Sequence, residues 1–225
     1  MLNEGRQEIS DAFSCRPYFC IGDCILVVSI DNSSMSDEFL IREFIKRFAE
    51  NPNREGLKET PARVIKAWNF FCSGYNQDPA DVLKCFEDGG EKYDELLFQA
   101  NIPIVSSCEH HLEKFWGMAH IAYVPNGKVV GLSKLSRLAE IFARRLQVQE
   151  RLTQQIADAL MEHLQPKGVG VVLQMRHGCM EFRGIQKVGT ITMSSALRGC
   201  VKNESDCRAE FMALVTTASQ GLVKL

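Results

Sequence analysis

Two short motifs rich in cysteine and histidine contain the residues of this sequence whose types and spacing could do chemistry. The first is S-C-E-H-H at residues 107–111, and the second is R-H-G-C at residues 176–179. Together they hold three of the five histidines and two of the nine cysteines. Thiolate and imidazole are the side chains that hold zinc best, so the two motifs predict a metal site.

The spacing within each motif allows its side chains to converge. Cys108 and His111 lie three residues apart, so a tight turn would bring both to one point. The apolar run at residues 169–175 indicates a strand that leads into the second motif. If this strand continues to Cys179, then His177 and Cys179 face the same side, because side chains at i and i+2 of a strand do so.

The two motifs offer more candidate ligands than zinc usually takes, which is four. One interpretation is a closed structural site with two cysteines and two histidines. Another is an open site with three protein ligands and a water, in which the spare histidines carry protons. A third is that no metal binds, and the spacing leaves all three open. The candidates are Cys108, His110, His111, His177 and Cys179.

The composition is that of an ordinary globular protein. The 225 residues are 45% hydrophobic and 24% charged, enough for one large domain or a domain with a helical extension. A net charge of −2 argues against a general nucleic-acid binder. No apolar run approaches the length of a membrane span, and the first residues lack the pattern of a signal peptide. With nine cysteines, we therefore expect a cytoplasmic protein in a reducing compartment, bound to neither nucleic acid nor a membrane.

Helical signals dominate residues 36–75. Ser36 is a good N-cap for a first helix, and Thr60 followed by Pro61 predicts the start of a second, which Gly74 would end. Residues 76–100 read as a connector with some helix. The segment before Ser36 shows no clear period apart from a short strand at residues 25–30.

The pattern changes from residue 102 onward. Strands are predicted at residues 102–106, 115–123, 169–175 and 190–194. Two helices lie between the second and third strands, and a last helix is predicted at residues 206–217. The order strand-strand-helix-helix-strand-strand, with short connections, favours an antiparallel sheet in an α+β domain.

Two cations lie at the predicted start of the helix after residue 132. Ser133 reads as its N-cap, and Lys134 and Arg137 follow within the first turns. Free backbone N–H groups with a hydroxyl and two cations suit a phosphate. The alternative is a surface turn with two exposed cations. Arg63 and Lys66 lie three residues apart on the second helix, and their spacing favours a solvated basic edge.

From about residue 36 to residue 217 the chain resembles the GTP cyclohydrolase I family, zinc enzymes that open pterin biosynthesis. The resemblance rests on several long motifs in the right order, whereas the first 35 residues match nothing in the family. The motifs are E-T-P-A-R at 59–63, C-E-H-H at 108–111, G-L-S-K-L-S-R at 131–137, R-L-Q-V-Q-E-R-L-T at 145–153, H-G-C-M at 177–180 and R-G at 183–184.

The resemblance implies a tunnelling fold, in which an antiparallel four-stranded sheet carries two helices on one face and follows a helical N-terminal region. It also implies a homodecamer of two pentamers, with each active site at a subunit interface. The expected division is a variable extension at 1–35, a helical region at 36–100, the catalytic domain at 101–217 and a tail at 218–225. No motif decides whether a feedback regulatory protein binds.

The resemblance also implies a role for each residue of the two motifs. Cys108, His111 and Cys179 match the family's zinc ligands, and His110 and His177 match its acid–base histidines. The expected reaction is hydrolysis and rearrangement of GTP to 7,8-dihydroneopterin triphosphate and formate, the first step toward folate or tetrahydrobiopterin. In it His177 would protonate N7 of guanine, and His110 would assist proton transfer at the ribose ring oxygen. Ser133 would help the later rearrangement of the sugar.

The substrate contacts are carried over in the same way. Glu150, with its neighbour Gln149, matches the position that recognises guanine, since a carboxylate accepts hydrogen bonds from N1–H and the exocyclic amine. Lys134, Arg137 and Arg183 match the triphosphate contacts of the family. Arg63 and Lys66 are expected to join them from another subunit.

Two rival hypotheses and a few departures accompany this resemblance. Another tunnelling-fold enzyme acting on GTP or a pterin is one rival, and a non-catalytic zinc-stabilised GTP-binding protein with a fourth protein ligand is the other. The ligand set suits several divalent metals besides zinc. Glu113 and Lys114 place charges where apolar residues are expected, which predicts altered surface or interface contacts, and Cys200 and Cys207 match no family motif.

Overall fold

The computed structural model describes residues 36–83, 85–86 and 93–222. The expected extension at 1–35, with its strand at 25–30, lies outside the described residues. In chain order the helices are α1 (Asp37–Lys46), α2 (Thr60–Phe71), α3 (Pro79–Val82), α4 (Leu132–Ala143), α5 (Gln149–Leu164), α6 (Gly178–Glu181), α7 (Gly199–Asn203) and α8 (Ser205–Leu222). The strands are β1 (Cys85–Phe86), β2 (Leu97–Cys108), β3 (Lys114–Val124), β4 (Val129–Val130), β5 (Leu146–Gln147), β6 (Gly168–His177) and β7 (Thr192–Arg198).

The two N-terminal helices begin close to where the sequence predicts. The Ser36 hydroxyl accepts a hydrogen bond from the Phe39 amide at 3.2 Å and caps α1 as expected. Thr60 is not the cap of α2, because Glu59 takes that position and Thr60 is already helical. Helix α2 also ends before Gly74, which lies in a following 3-10 turn. Gly74 is pressed against α4, where a Cβ would lie 2.0 Å from the Ile141 carbonyl oxygen.

The main sheet has five strands in the order β5-β2-β3-β6-β7. The four long strands pair antiparallel, which confirms the prediction from the sequence. The two-residue strand β5 adds a parallel edge beside the end of β2, so the sheet is mixed. Leu146 lies in this strand rather than in a helix. Strands β1 and β4 form a separate two-stranded ladder.

Helices α4 and α5 cover one face of the sheet and build the larger core. Ile121 and Tyr123 of β3 point into this core, where they meet Leu138 of α4 and Leu160 of α5. All four side chains are almost fully buried. The α+β class, with two helices on one face and a helical region before the sheet, is therefore as expected.

The opposite face of the sheet is covered in part by α7 and α8, which the sequence did not place there. Ala122 and Val172 point to this side and pack with Phe211 and Val215 in a second, smaller core cluster. Helix α8 continues to Leu222, five residues past its predicted end. Neither it nor another helix of the described residues is long and apolar enough to cross a membrane.

His120 is a buried polar residue on the same side of β3 as this second cluster. Its ring stacks on Phe98 with centroids 6.2 Å apart, and Nδ1 lies 3.5 Å from the amide of Asn101. Nε2 is buried without a hydrogen-bond partner among the described residues. Burial lowers the pKa of His120 from its ordinary value of 6.5, because the charged imidazolium loses its hydration.

This burial predicts a dependence of stability on pH. The unfolded imidazole takes up a proton near pH 6.5 and the folded one only at lower pH, so the free energy of unfolding falls as pH drops below about 6.5. Substitution His120→Asn keeps an acceptor for the Asn101 amide and removes the titrating group. Urea unfolding at pH 7.5 and at pH 5.5 checks this: the wild type should lose more stability between the two than the variant, and equal losses would contradict it.

Candidate active site

The turn between β2 and β3 brings the first two predicted ligands together. Cys108 ends β2, and its amide donates to the Glu113 carbonyl at 2.8 Å while its own carbonyl accepts from Leu112 at 2.8 Å. Leu112 has a positive φ of 57°, which closes the turn tightly. As a result Cys108 Sγ lies 3.6 Å from His111 Nδ1, which confirms the predicted turn.

The second motif reaches the same place by a different route from the one predicted. Strand β6 pairs with β3 so that His177 lies opposite Phe115, next to the turn. The strand ends at His177, and Cys179 lies in the one-turn helix α6. The expectation that the strand continues to Cys179 was therefore wrong. The helical turn nevertheless carries Cys179 to the pair formed by Cys108 and His111.

These three side chains form a group that fits a metal ion. Their donor atoms all lie within 4.8 Å of one another. Bonds of about 2.3 Å to sulfur and about 2.1 Å to nitrogen at a tetrahedral angle place those two donors about 3.6 Å apart, which is the separation found between Cys108 and His111. Burial, together with the neighbouring Cys108 thiol, raises the pKa of Cys179. A cation between the two sulfurs would relieve this penalty on the thiolates.

His177 is held rigidly beside this group. Its ring is stacked on Phe115 with centroids 4.9 Å apart and an angle of 2°. Its Nε2 lies 2.8 Å from Gln149 Oε1. Burial lowers the pKa of His177, and the negative charge of Glu150 opposes this in part. The imidazole is therefore favoured in its neutral form.

Gln149 fixes which nitrogen of His177 carries the proton. The Gln149 amide nitrogen lies 2.9–3.2 Å from three acceptors, namely the Leu173 and Thr192 carbonyls and the Ser194 hydroxyl. This network assigns the amide oxygen to the side facing His177, so Nε2 of the imidazole donates and Nδ1 is left as the acceptor.

The same network corrects the expectation for Gln149. Its side chain is only 1% exposed, and both ends of the carboxamide are engaged inside the protein. A direct contact between this side chain and guanine is therefore not supported. The sequence signal was its position beside Glu150, and spacing does not show that the two side chains separate. Glu150 is exposed in the first turn of α5, whereas Gln149 points into the sheet.

His110 lies on the exposed side of the turn, outside the ligand group. Its side chain is 63% exposed, and Nε2 lies 3.8 Å from Glu109 Oε1. Glu109 is itself bound by Arg151 of α5 through two hydrogen bonds of 2.5 and 3.0 Å, which hold the pKa of the Glu109 carboxyl below its usual value. Local spacing does not predict the pairing of Glu109 with Arg151, because 42 residues separate them.

The proposed phosphate-binding residues lie at the surface. Ser133 is not the N-cap of α4, since Gly131 takes that position without a side-chain hydrogen bond. Ser133 and Arg137 are exposed and Lys134 is half-buried. Arg183 is exposed just after α6. The remaining basic pair lies on α2, where Arg63 binds Glu59 at 2.5 Å and Lys66 is exposed.

Lys114 has a more internal role than the surface contact expected from its charge. Its ammonium group lies 3.2 Å from the centroid of Phe71 and 4.5 Å from that of Trp68. It also donates to the Ser107 hydroxyl at 2.6 Å. Burial lowers the pKa of Lys114. These contacts attach helix α2 to the strand ends that carry the candidate ligands.

The fold and the site together define an α+β protein with a Cys–His–Cys group suited to a metal and a half-buried histidine beside it. The sequence profile of the family described as GTP cyclohydrolase I matches residues 38–216. Two curated relatives of similar sequence are both named GTP cyclohydrolase 1. The one from Janthinobacterium sp. (strain Marseille) is 57% identical over 173 residues, covering 77% of this chain and 87% of the relative. The one from Campylobacter jejuni (strain RM1221) is 51% identical over 185 residues, covering 81% and 96%.

The chain belongs to the GTP cyclohydrolase I family of enzymes, as the resemblance in its motifs predicted. Among solved structures, the apo form of an archaeosine synthase QueF-Like is similar over 46% of this chain and 93% of its own. It has 16% sequence identity and a TM-score of 0.38.

The buried network of Gln149 predicts a large effect on stability. Substitution Gln149→Leu would leave carbonyls of β6 and β7 without their donor, so we expect a loss of about 2 kcal/mol in the free energy of unfolding. Gln154→Leu is the matched control, because Gln154 is exposed and its side chain accepts a hydrogen bond from Arg198 at the surface. It should cost less than about 0.5 kcal/mol in urea unfolding. If Gln149→Leu lowers the free energy of unfolding as little as Gln154→Leu, the buried network contributes little to stability.

Proposed function

We propose that the chain catalyses the zinc-dependent conversion of GTP to 7,8-dihydroneopterin triphosphate and formate. The observation that carries the proposal is the group of Cys108, His111 and Cys179, whose donor atoms lie within 4.8 Å, in a chain of this family. Two thiolates and an imidazole suit zinc. A bound zinc ion would supply hydroxide at neutral pH by lowering the pKa of water.

His177 is the residue we assign to proton transfer at the guanine ring. Its Nε2 is tied to Gln149, so Nδ1 is the atom left to exchange a proton. The lowered pKa keeps Nδ1 free at neutral pH to accept a proton. The resulting imidazolium would pass it to N7 of guanine, which activates C8 for hydrolysis.

His110 and Ser133 are assigned to the later steps. His110 is exposed beside the Glu109–Arg151 pair, where it has room to meet the ribose ring oxygen once the imidazole ring has opened. The exposed Ser133 hydroxyl would assist the rearrangement of the sugar.

Substrate recognition is assigned to exposed charges around this group. Glu150 would accept hydrogen bonds from guanine N1–H and its amine, which adenine cannot offer. The triphosphate would be held by Lys134, Arg137 and Arg183, with Arg63 and Lys66 from another copy of the chain. The Arg63–Glu59 pair is exposed, and such pairs contribute little, so Arg63 can change partner at low cost.

We also propose assembly into a homodecamer of two pentamers in the cytoplasm. Large apolar side chains are exposed in two places. Phe44 lies on α1 and Phe48 just after it, and Phe182, Ile185 and Val188 follow α6. Exposed apolar patches of this kind are typical of subunit interfaces. Cys72, Cys108, Cys179, Cys200 and Cys207 are free thiols, which fits a reducing compartment.

Two substitutions separate metal binding from proton transfer. His110→Ala should keep zinc and lower turnover by about 10²- to 10⁴-fold, the usual contribution of a general acid or base. Cys179→Ala should lose both zinc and turnover. Zinc content by atomic emission, measured with turnover on the same samples, checks both results. Loss of zinc from the His110 variant would mean that the ligand assignment is wrong.

The reaction itself is tested by incubating the zinc-loaded protein with GTP and analysing the products by mass spectrometry. We expect dihydroneopterin triphosphate together with formate. Accumulation of a formamidopyrimidine would contradict the complete reaction and indicate ring opening alone. Unchanged GTP, with zinc and assembly verified, would instead favour a zinc-stabilised GTP-binding protein.

A further inference from the structure

Helix α6, which carries Cys179, is too short to be stabilised by hydrogen bonds within the helix alone. It has four residues and closes with a hydrogen bond of 2.9 Å from the Phe182 amide to the Gly178 carbonyl. A single helical turn is unfavourable in isolation, because several backbone dihedrals are fixed for one hydrogen bond. Contacts from outside the turn must therefore hold Cys179 in place.

Arg176 and Glu181 supply such a contact from the two ends of this segment. Arg176 lies on β6 just before His177, and Glu181 is the last residue of α6. The guanidinium binds the carboxylate through Nε at 2.7 Å and through a terminal nitrogen at 2.5 Å. Glu181 is only 3% exposed. Two parallel charge-assisted hydrogen bonds fix both the distance and the relative orientation of the two residues.

Neighbouring groups hold this ion pair in one arrangement. The Arg176 guanidinium lies 5.5 Å from the centre of the Trp116 ring, and Phe182 stacks on the same ring at 5.9 Å and 15°. Trp116 belongs to β3, so a residue before α6 and a residue after it both contact that strand.

We infer that the Arg176–Glu181 pair positions Cys179 for metal binding. The pair brackets the segment 177–180 and fixes the one ligand that does not lie on the β2–β3 turn. Neither residue belongs to the ligand group, so both act as positioning residues. The inference rests on the proposed metal site. Removing one partner leaves the other charge without its counterion in a partly buried place, and α6 then loses its fixed position.

The test measures zinc affinity in the full-length protein by competition with a chelating dye. Glu181→Gln keeps the shape of the side chain and removes its charge, so zinc affinity should fall about tenfold, as for other residues that orient metal ligands. Arg176→Lys keeps the charge but not the bidentate geometry, and a smaller loss is expected. In cobalt-substituted protein, both variants should show weaker thiolate-to-cobalt absorption, which reports the contact with Cys179.

Two control variants separate positioning from general stability. Asp158→Asn removes the carboxylate of the Arg198–Asp158 pair between β7 and α5. Val215→Ala lowers stability through the second core cluster, away from the candidate ligands. Both should keep wild-type zinc affinity.

The possible results distinguish this inference from the function on which it rests. If Glu181→Gln and Arg176→Lys bind zinc as tightly as the wild type, the positioning role is wrong and the proposed function stands. An equal loss in Val215→Ala would also overturn the positioning role. Failure of the wild type itself to bind zinc or cobalt would overturn the proposed metal site.

Discussion

The antiparallel register of β3 with its two neighbours is the constraint on which the candidate site depends. Strand β3 pairs with β2 on one side and with β6 on the other. Its start therefore lies between Cys108, at the end of β2, and His177, at the end of β6. A shift of one residue in either ladder would turn every side chain of that strand to the opposite face. The ligand group exists because both registers are held at once.

Several buried features hold these registers. The close approach of β3 and β6 at Gly117 admits no side chain, since a Cβ there would lie 1.9 Å from the Gln174 carbonyl oxygen. On the far side of β6, the Gln149 amide spans β6 and β7 and also supports His177. Stability and the proton transfer proposed for His177 would then share one network, because a residue that orders the sheet also selects the tautomer of His177.

The sequence predicted the helices and strands better than it predicted how the candidate ligands meet. The turn at Cys108 and His111 followed from spacing, because three residues can close only a short loop. The position of Cys179 did not, since hydrophobic periodicity gives no signal for the end of β6 at His177. The prediction that Ser133 caps α4 was wrong, because Gly131 takes that position. A good capping side chain does not decide where a helix begins when packing sets its first turn.

Long-range pairs were beyond the sequence altogether. Arg151 with Glu109 and Gln149 with Ser194 are separated by 42 and 45 residues, and only the folded sheet brings them together. The five-residue separation of Arg176 and Glu181 is short, yet it matches neither the strand nor the helix repeat. The pair forms because the chain changes from strand to helix between its two members. Such a change of period is where local patterns carry least information.

The interior is divided into two clusters, and we expect the smaller one to unfold locally before the larger one. Phe211 and Val215 of α8 contact the sheet through the smaller cluster, on the face opposite α4 and α5. Amide hydrogen exchange in α7 and α8 would then report a local cooperative unit of lower free energy than the main core. Release of that unit would expose one side of β3 and β6, whereas the backbone hydrogen bonds that close the turn at Cys108 involve neither α7 nor α8. We therefore expect the two C-terminal helices to open without disturbing the candidate metal site.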